Sequence, residues 1–285
     1  MRLAHIIADD FDLARTLDSG QVFHWEKCGD GFVGTIGAKG VYVEQRRNRL
    51  FVSGVTGKTA SHYFALDHPL EEICRSFPDD AAMGAARDFC QGLRIIRQPL
   101  WECLATFITS SMKQVAHIRQ MSRALRERYG ERREMFEREV YTFPSADRIA
   151  ELAETDLKAC ALGYRAKNLL ATARRVASRE AALEEWGTLP DDLLRERLCT
   201  LPGVGAKVAN CVMLFAYERL RAFPIDVWIE RVLRQKYFPR KRKVTAAQLR
   251  DFCESYFGKH GGYAQQYLFH HARKRAAAPQ VVRPG

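Results

Sequence analysis

The chain contains no C-x-x-C pair. Its eight cysteines, Cys28, Cys74, Cys90, Cys103, Cys160, Cys199, Cys211 and Cys253, stand far apart. Neither a zinc site nor a disulfide framework is signalled, and reduced thiols in a cytosol fit best. No apolar run approaches the roughly 20 residues that a membrane span needs. The N-terminus has no signal-peptide pattern, so an intracellular protein without membrane attachment is expected. Internal repeats are absent, which excludes solenoids and propellers. Acidic residues are missing from Arg231 to Arg250, a stretch with eight basic residues that include Arg240-Lys241-Arg242-Lys243.

What is present suits a folded, polyanion-binding protein. At 285 residues and 47% hydrophobic, the chain can bury a sizeable core, as one large domain or two or three small ones. Forty-five Lys plus Arg against 34 Asp plus Glu give a formal charge of +11, and the pI is near 9.4. That excess favours nucleic acid as partner. The basic stretch after Arg231 serves equally as a DNA-backbone contact or a solvated loop.

Between Gln21 and about Gly54, short aromatic and β-branched runs alternate with the turn clusters Cys28-Gly29-Asp30-Gly31 and Gly37-Ala38-Lys39-Gly40, as antiparallel strands do. After about Thr56 the period becomes helical. It predicts helices near 80–92, 99–111, 114–129, 145–153, 165–178, 190–200, 205–217, 227–237, 245–257 and 263–275. The fold class expected is α+β, mostly α. An N-terminal antiparallel β domain (1–56, or up to about 95) precedes a helical domain (96–275) with a helix-hairpin-helix at about 190–217, and 276–285 reads as a flexible tail.

Chemistry concentrates between residues 201 and 226. In Leu201-Pro202-Gly203-Val204-Gly205-Ala206-Lys207 the glycines permit a tight turn whose N–H groups, with that of Val204, can face a phosphate at a helix N-terminus. Beyond an apolar helix, Pro224 breaks the chain before Asp226, so a lysine and a carboxylate can meet. A lysine held near a carboxylate can supply a nucleophile and a counter-charge for an electrophilic carbon. Taken singly, Lys207 reads as a surface lysine or phosphate contact, and Asp226 as an N-cap for the next helix. Their order behind the hairpin favours catalysis.

Six ordered segments together resemble the helix-hairpin-helix DNA glycosylases with a Gly/Pro-rich loop and a closing aspartate, and among them the 8-oxoguanine DNA glycosylases. These are Ser19-Gly20-Gln21-Val22-Phe23-His24-Trp25, Pro99-Leu100-Trp101-Glu102-Cys103-Leu104, Leu162-Gly163-Tyr164-Arg165-Ala166, Leu201 to Cys211, Phe223 to Val227, and Gly262 to Phe269. The resemblance implies a DNA-binding cleft between subdomains, a Schiff base between Lys207 and C1′ with β-elimination following, and an Asp226 that assists base departure. It implies no cofactor and no catalytic metal, and the four-cysteine iron–sulfur loop of some relatives has no counterpart beyond Cys253. Duplex DNA containing oxidised guanine is the expected partner of a monomer in base excision repair, cytoplasmic or nucleoid-associated.

The same resemblance implies a pocket for a base taken out of the stack. Cys211, four residues after Lys207, would stack on the base, and Gln265 and Phe269, also four apart, would supply an edge amide and a ring. The Gly20 carbonyl would accept the N7 hydrogen that oxidised guanine has and guanine lacks. Tyr164 would wedge into the stack and Arg165 address the estranged base. Without the resemblance, Cys211 and Phe269 read as core, Gln265 as a surface amide, Gly20 as a turn glycine and Tyr164 as a packed helix-start aromatic.

Three positions depart from the animal members. Met112-Lys113-Gln114 replaces an asparagine run that reads the opposite cytosine, Trp228 replaces a histidine, and His117 an arginine. A methionine can wedge but cannot hydrogen-bond a base edge, so looser opposite-base selectivity is expected. Two alternatives are an alkylpurine glycosylase, a branch that generally lacks the lysine, and a non-catalytic helix-hairpin-helix DNA-binding protein, which would need neither Lys207 nor Asp226.

Overall fold

The computed structural model describes residues 3–240 and 243–277. Lys241 and Arg242 of the basic run, and residues 278–285 of the expected tail, lie outside them. Strand β1 (Ala4–Ile7) and helix α1 (Leu13–Asp18) come first, followed by β2 (Glu26–Cys28), β3 (Gly31–Ile36), β4 (Lys39–Arg46) and β5 (Arg49–Ser53). The strands form one antiparallel sheet in the order β1-β5-β4-β3-β2. Alternation along β4 and β5 turns Val41, Val43, Leu50 and Val52 to one face, where they pack with Leu13, Leu17, Tyr63, Phe64 and Ile96.

Helices α2 (Gly57–Tyr63), α3 (Leu70–Arg75), α4 (Ala81–Phe89), α5 (Leu100–Ser110) and α6 (Val115–Tyr129) follow. A hairpin of β6 (Arg132–Met135) and β7 (Arg138–Tyr141) comes next, then α7 (Ala146–Ala150), α8 (Glu154–Lys158), α9 (Arg165–Ala177), α10 (Asp191–Cys199) and α11 (Ala206–Phe215). The chain ends in α12 (Val227–Val232), which runs on as a wider π turn at Leu233–Tyr237, then α13 (Ala246–Tyr256) and α14 (Gly261–Ala277). The mostly α, α+β architecture is as expected, and each of the ten predicted helices is present within about one turn of its expected bounds.

The sequence reading omits α1, α2, α3, α8, β1 and the β6–β7 hairpin. The hairpin turns on Phe136 and Glu137, at φ 49 and 57, with no Gly, Asn or Asp to signal a turn that needs φ > 0. Tertiary packing holds it instead. Phe136 stacks on Tyr42 at 4.0 Å, and Met135 closes over Val33 and Tyr42 on the second face of the sheet.

Helix α5 sits at the centre of the helical core. Every residue from Glu102 to Ser110 is buried, which takes a helix that is apolar on nearly all sides and covered by neighbours. Cys103, Leu104, Phe107 and Ile108 share one cluster with Val208, Val212 and Phe215 of α11 and with Ala166, Leu169 and Leu170 of α9. This packing fixes the C-terminal end of α5 beside the start of α11.

Candidate active site

Helices α10 and α11 are the two arms of the hairpin. The turn is closed by Leu201 N–H donating to the Leu198 carbonyl and Val204 N–H to that of Leu201, both at 3.1 Å. Helix α9 holds it from outside, since Thr172 Oγ1 donates to the Pro202 carbonyl at 2.9 Å. Gly203 is required twice. Its φ is +82, and a Cβ there would lie 2.8 Å from Cβ of Asn168 and 3.2 Å from Cγ2 of Ile108. Gly205, at an ordinary φ of −101, would carry a Cβ into open space.

Lys207 stands on the first turn of α11. Its Nζ donates to Ser110 Oγ at 3.3 Å and lies 5.2 Å from the centre of the Phe107 ring. Ser110 can accept because its own hydroxyl donates to the Phe107 carbonyl at 2.8 Å. Phe107 in turn stacks on Phe215 at 5.4 Å with planes 8° apart. Ser110 and Phe107 were missed by sequence reasoning; 97 residues separate Ser110 from Lys207, and no local pattern carries such a contact.

Asp226 caps α12, its Oδ1 accepting from Ile229 N–H at 2.8 Å. Burial pushes its carboxyl above the ordinary aspartate range, against the Ile229 N–H and the nearby Lys207 charge. Cys211, 3% exposed, lies one turn below Lys207 on α11. Burial raises its thiol to about 11, with Lys207 acting in the opposite direction. The cysteine is therefore a neutral, polarisable surface rather than a thiolate.

On the other side, Gly20 has φ +88, and a Cβ there would come within 3.0 Å of the Phe269 ring and 3.6 Å of Val115 Cγ2. Gln265, one turn before Phe269 on α14, is 4% exposed, and its side-chain oxygen has no hydrogen-bond partner among the described residues. An unpaired buried acceptor of this kind costs about 1–3 kcal/mol unless something supplies a donor. The two groups meet around one loop: Ser110, which touches Lys207, and Val115, which lines Gly20, are its ends.

Met112 in that loop is 93% exposed and holds a left-handed φ of 54, strained for a residue that is not Gly, Asn or Asp. Tyr164 is 61% exposed. Arg165 is buried: its Nε donates to the Ser111 carbonyl at 2.9 Å, and its guanidinium lies 4.4 Å from the centre of the Tyr164 ring. It holds the backbone carbonyl just before Met112, lies against the Tyr164 ring, and is not presented to solvent.

A helix hairpin that delivers a lysine beside a partly buried, capping carboxylate defines the class of helix-hairpin-helix base-excision proteins. Residues 105–255 match the HhH-GPD superfamily of base excision DNA repair proteins, and residues 5–104 match the N-terminal domain of 8-oxoguanine DNA glycosylase. The chain belongs to the 8-oxoguanine DNA glycosylase family of that superfamily. It is 29% identical to the N-glycosylase/DNA lyase OGG1 of Arabidopsis thaliana over 94% of this chain and 78% of that protein. The solved 8-oxoguanine glycosylase/lyase of Clostridium acetobutylicum, in complex with duplex DNA containing cytosine opposite 8-oxoguanine, is 30% identical, covers 97% and 99% of the two chains, and superposes at a TM-score of 0.89. The structure of MBOgg1 with a low-affinity DNA ligand superposes at 0.91, 29% identical over 97% and 100%. Among the described residues no helix is long and apolar enough to cross a membrane.

Proposed function

We propose that the chain is a bifunctional DNA glycosylase/AP lyase that flips 8-oxoguanine out of duplex DNA and excises it, acting as an intracellular, nucleoid-associated monomer in base excision repair. The observation that carries this reading is Lys207 at the hairpin, held by Ser110 and set near the raised-pKa Asp226. Lys207 Nζ attacks C1′, the C1′–N9 bond breaks with its electrons going to the base, which takes up the proton that Nζ gives up, and Asp226 stabilises the positive charge that develops at the sugar. The C1′–O4′ bond then breaks, its electrons going to O4′, which takes up a proton, and the sugar opens to an iminium between Nζ and C1′; loss of a C2′ proton from that iminium expels the 3′ phosphate by β-elimination. Gly203, Val204 and Gly205 hold the DNA backbone. Close approach of a phosphate supplies the reason for Gly205 that the protein itself lacks.

Cys211 and Phe269 sandwich the flipped base, Gln265 meets its edge with the otherwise unpaired oxygen, and the Gly20 carbonyl takes the N7 hydrogen. Tyr164 and Met112 wedge the duplex. Borohydride trapping on duplexes with 8-oxoguanine opposite each of the four bases, beside a guanine duplex, tests the assignment. An adduct confined to the lesion duplexes supports it. No adduct on any of them overturns it in favour of an alkylpurine glycosylase or a binding module.

Replacing Met112 with asparagine is expected to narrow activity toward cytosine opposite the lesion. Asparagine tolerates the left-handed backbone that Met112 strains against and brings an amide for the base edge. The ratio of single-turnover rates opposite cytosine and adenine measures this, and an unchanged ratio removes position 112 from opposite-base selection. DNA affinity is expected to fall steeply with salt, by a slope of about −0.9 per phosphate contact in the log of the association constant against log salt. Binding that is flat between low and physiological salt would sink the argument from the +11 net charge.

A further inference from the structure

Discrimination of oxidised guanine from guanine by one backbone carbonyl demands that the carbonyl be held within a fraction of an ångström. The loop that carries Gly20 is restrained from two directions. From its own side, Ser19 is fully buried, with Oγ donating to the Thr16 carbonyl at 2.8 Å. Gln21 Nε2 donates to Ser19 Oγ at 2.9 Å and to the Arg94 carbonyl at 2.8 Å. From the other side, the two carbonyls just upstream of Gly20 are both held by α14. Gln266 Nε2, on a side chain 3% exposed, donates to the Ser19 carbonyl at 3.0 Å, and Arg273 Nη2 donates to the Asp18 carbonyl.

The Asp18 carboxylate is tied to the same helix. It lies 3.8 Å from Arg273 and pairs with Lys274, while Arg119 of α6 reaches it at 3.1 Å. Burial disfavours its charge, but Lys274, Arg273 and Arg119 outweigh that and keep Asp18 below its ordinary range. Helix α14 therefore presents Gln265 and Phe269 toward the base and fixes the Gly20 loop with the residues between and beyond them. Gln266 follows Gln265 directly, and Arg273 stands one turn past Phe269 with its guanidinium 5.9 Å from the centre of that ring.

We infer that Gln266 and Arg273 are positioning residues for lesion recognition: by holding the Ser19 and Asp18 carbonyls they set the distance between the Gly20 carbonyl and the Gln265–Phe269 face, and so the fit of the oxidised base. The inference rests on the reading of Gly20, Gln265 and Phe269 as base contacts. Neither residue takes part in the chemistry at C1′. An abasic (AP) duplex, which has no base to recognise, is processed through Lys207 without them.

The experiment compares single-turnover excision of 8-oxoguanine with β-elimination at an AP site for wild type, Gln266→Met and Arg273→Met. Methionine matches glutamine in length and removes the amide whose Nε2 donates to the Ser19 carbonyl. Excision is expected to fall about tenfold for Gln266→Met, with AP elimination within about twofold of wild type. The same split, smaller, is expected for Arg273→Met, which is less buried and keeps the fold accessible to measurement if the first variant melts early. Unchanged excision in both variants overturns the inference, and so does a parallel loss of excision and AP elimination, which marks a purely structural role. Wild-type protein that releases guanine as readily as 8-oxoguanine, or neither, overturns instead the base-pocket reading on which the inference stands.

Discussion

Lys207→Gln is expected to abolish borohydride-trapped adducts on both 8-oxoguanine and AP duplexes while leaving DNA affinity nearly intact. The substitution removes the one amine that the hairpin delivers to the site, and the glutamine amide keeps a donor for Ser110 Oγ, which Nζ contacts at 3.3 Å. Folding should not suffer. A cation on the first turn of a helix faces the positive end of the macrodipole, which costs roughly 0.3–1 kcal/mol at low ionic strength, so the melting temperature should hold or rise slightly. The salt slope of binding separates the two roles open to this residue. A phosphate-contacting lysine would take about 0.9 off the slope when removed, whereas the nucleophile leaves it unchanged. Undiminished trapping would remove Lys207 from the mechanism.

Asp226→Asn should slow base release by roughly 10²–10³-fold, the scale found when one preorganised charge-stabilising group is removed from an active site. The substitution is chosen because asparagine caps a helix about as well as aspartate. The hydrogen bond to Ile229 N–H, 2.8 Å long in this structure, survives, and the melting temperature should move little. A large rate loss at preserved stability therefore isolates the charge from the cap. The pH profile adds a second readout. Burial holds the Asp226 carboxyl above its ordinary range, so the rate that depends on its ionised form should fall as pH drops through that raised value, and the acid limb should vanish in the asparagine variant. A rate within a few-fold of wild type would leave Asp226 only as a cap.

Local sequence went far toward the site because the decisive features are short-range. Gly203 and Gly205 bracket a turn, Lys207 follows at a fixed helical offset, Cys211 lies one turn on, and Pro224 with Asp226 marks the next helix start. Each of these is set by backbone sterics or helical period over a few residues. The ten helices with strong apolar periodicity were legible for the same reason. The short helices α1, α2, α3 and α8 were not, since five to seven residues hold too little pattern to distinguish a helical turn from a loop.

Two local readings changed meaning in three dimensions. Gly203 is needed for its positive φ and also because α9 and α5 press against it, which no reading of the hairpin alone reveals. Arg165 stands at a helix start where a guanidinium could reach a base. Packing instead turns it inward onto the Ser111 carbonyl and the Tyr164 ring.

The amino-acid sequence by itself determined the order of the ten periodic helices, the basic net charge and the residue types that can do the chemistry, because these depend on composition and on spacings within a turn or two. Only the tertiary structure decided which side chains hold them. Ser110 meets Lys207 across 97 residues, Gln266 meets Ser19 across 247, and the β6–β7 hairpin forms over Tyr42 without a turn signal of its own. Such contacts follow from the packing of whole helices and sheets against one another, and no periodicity along the chain encodes them.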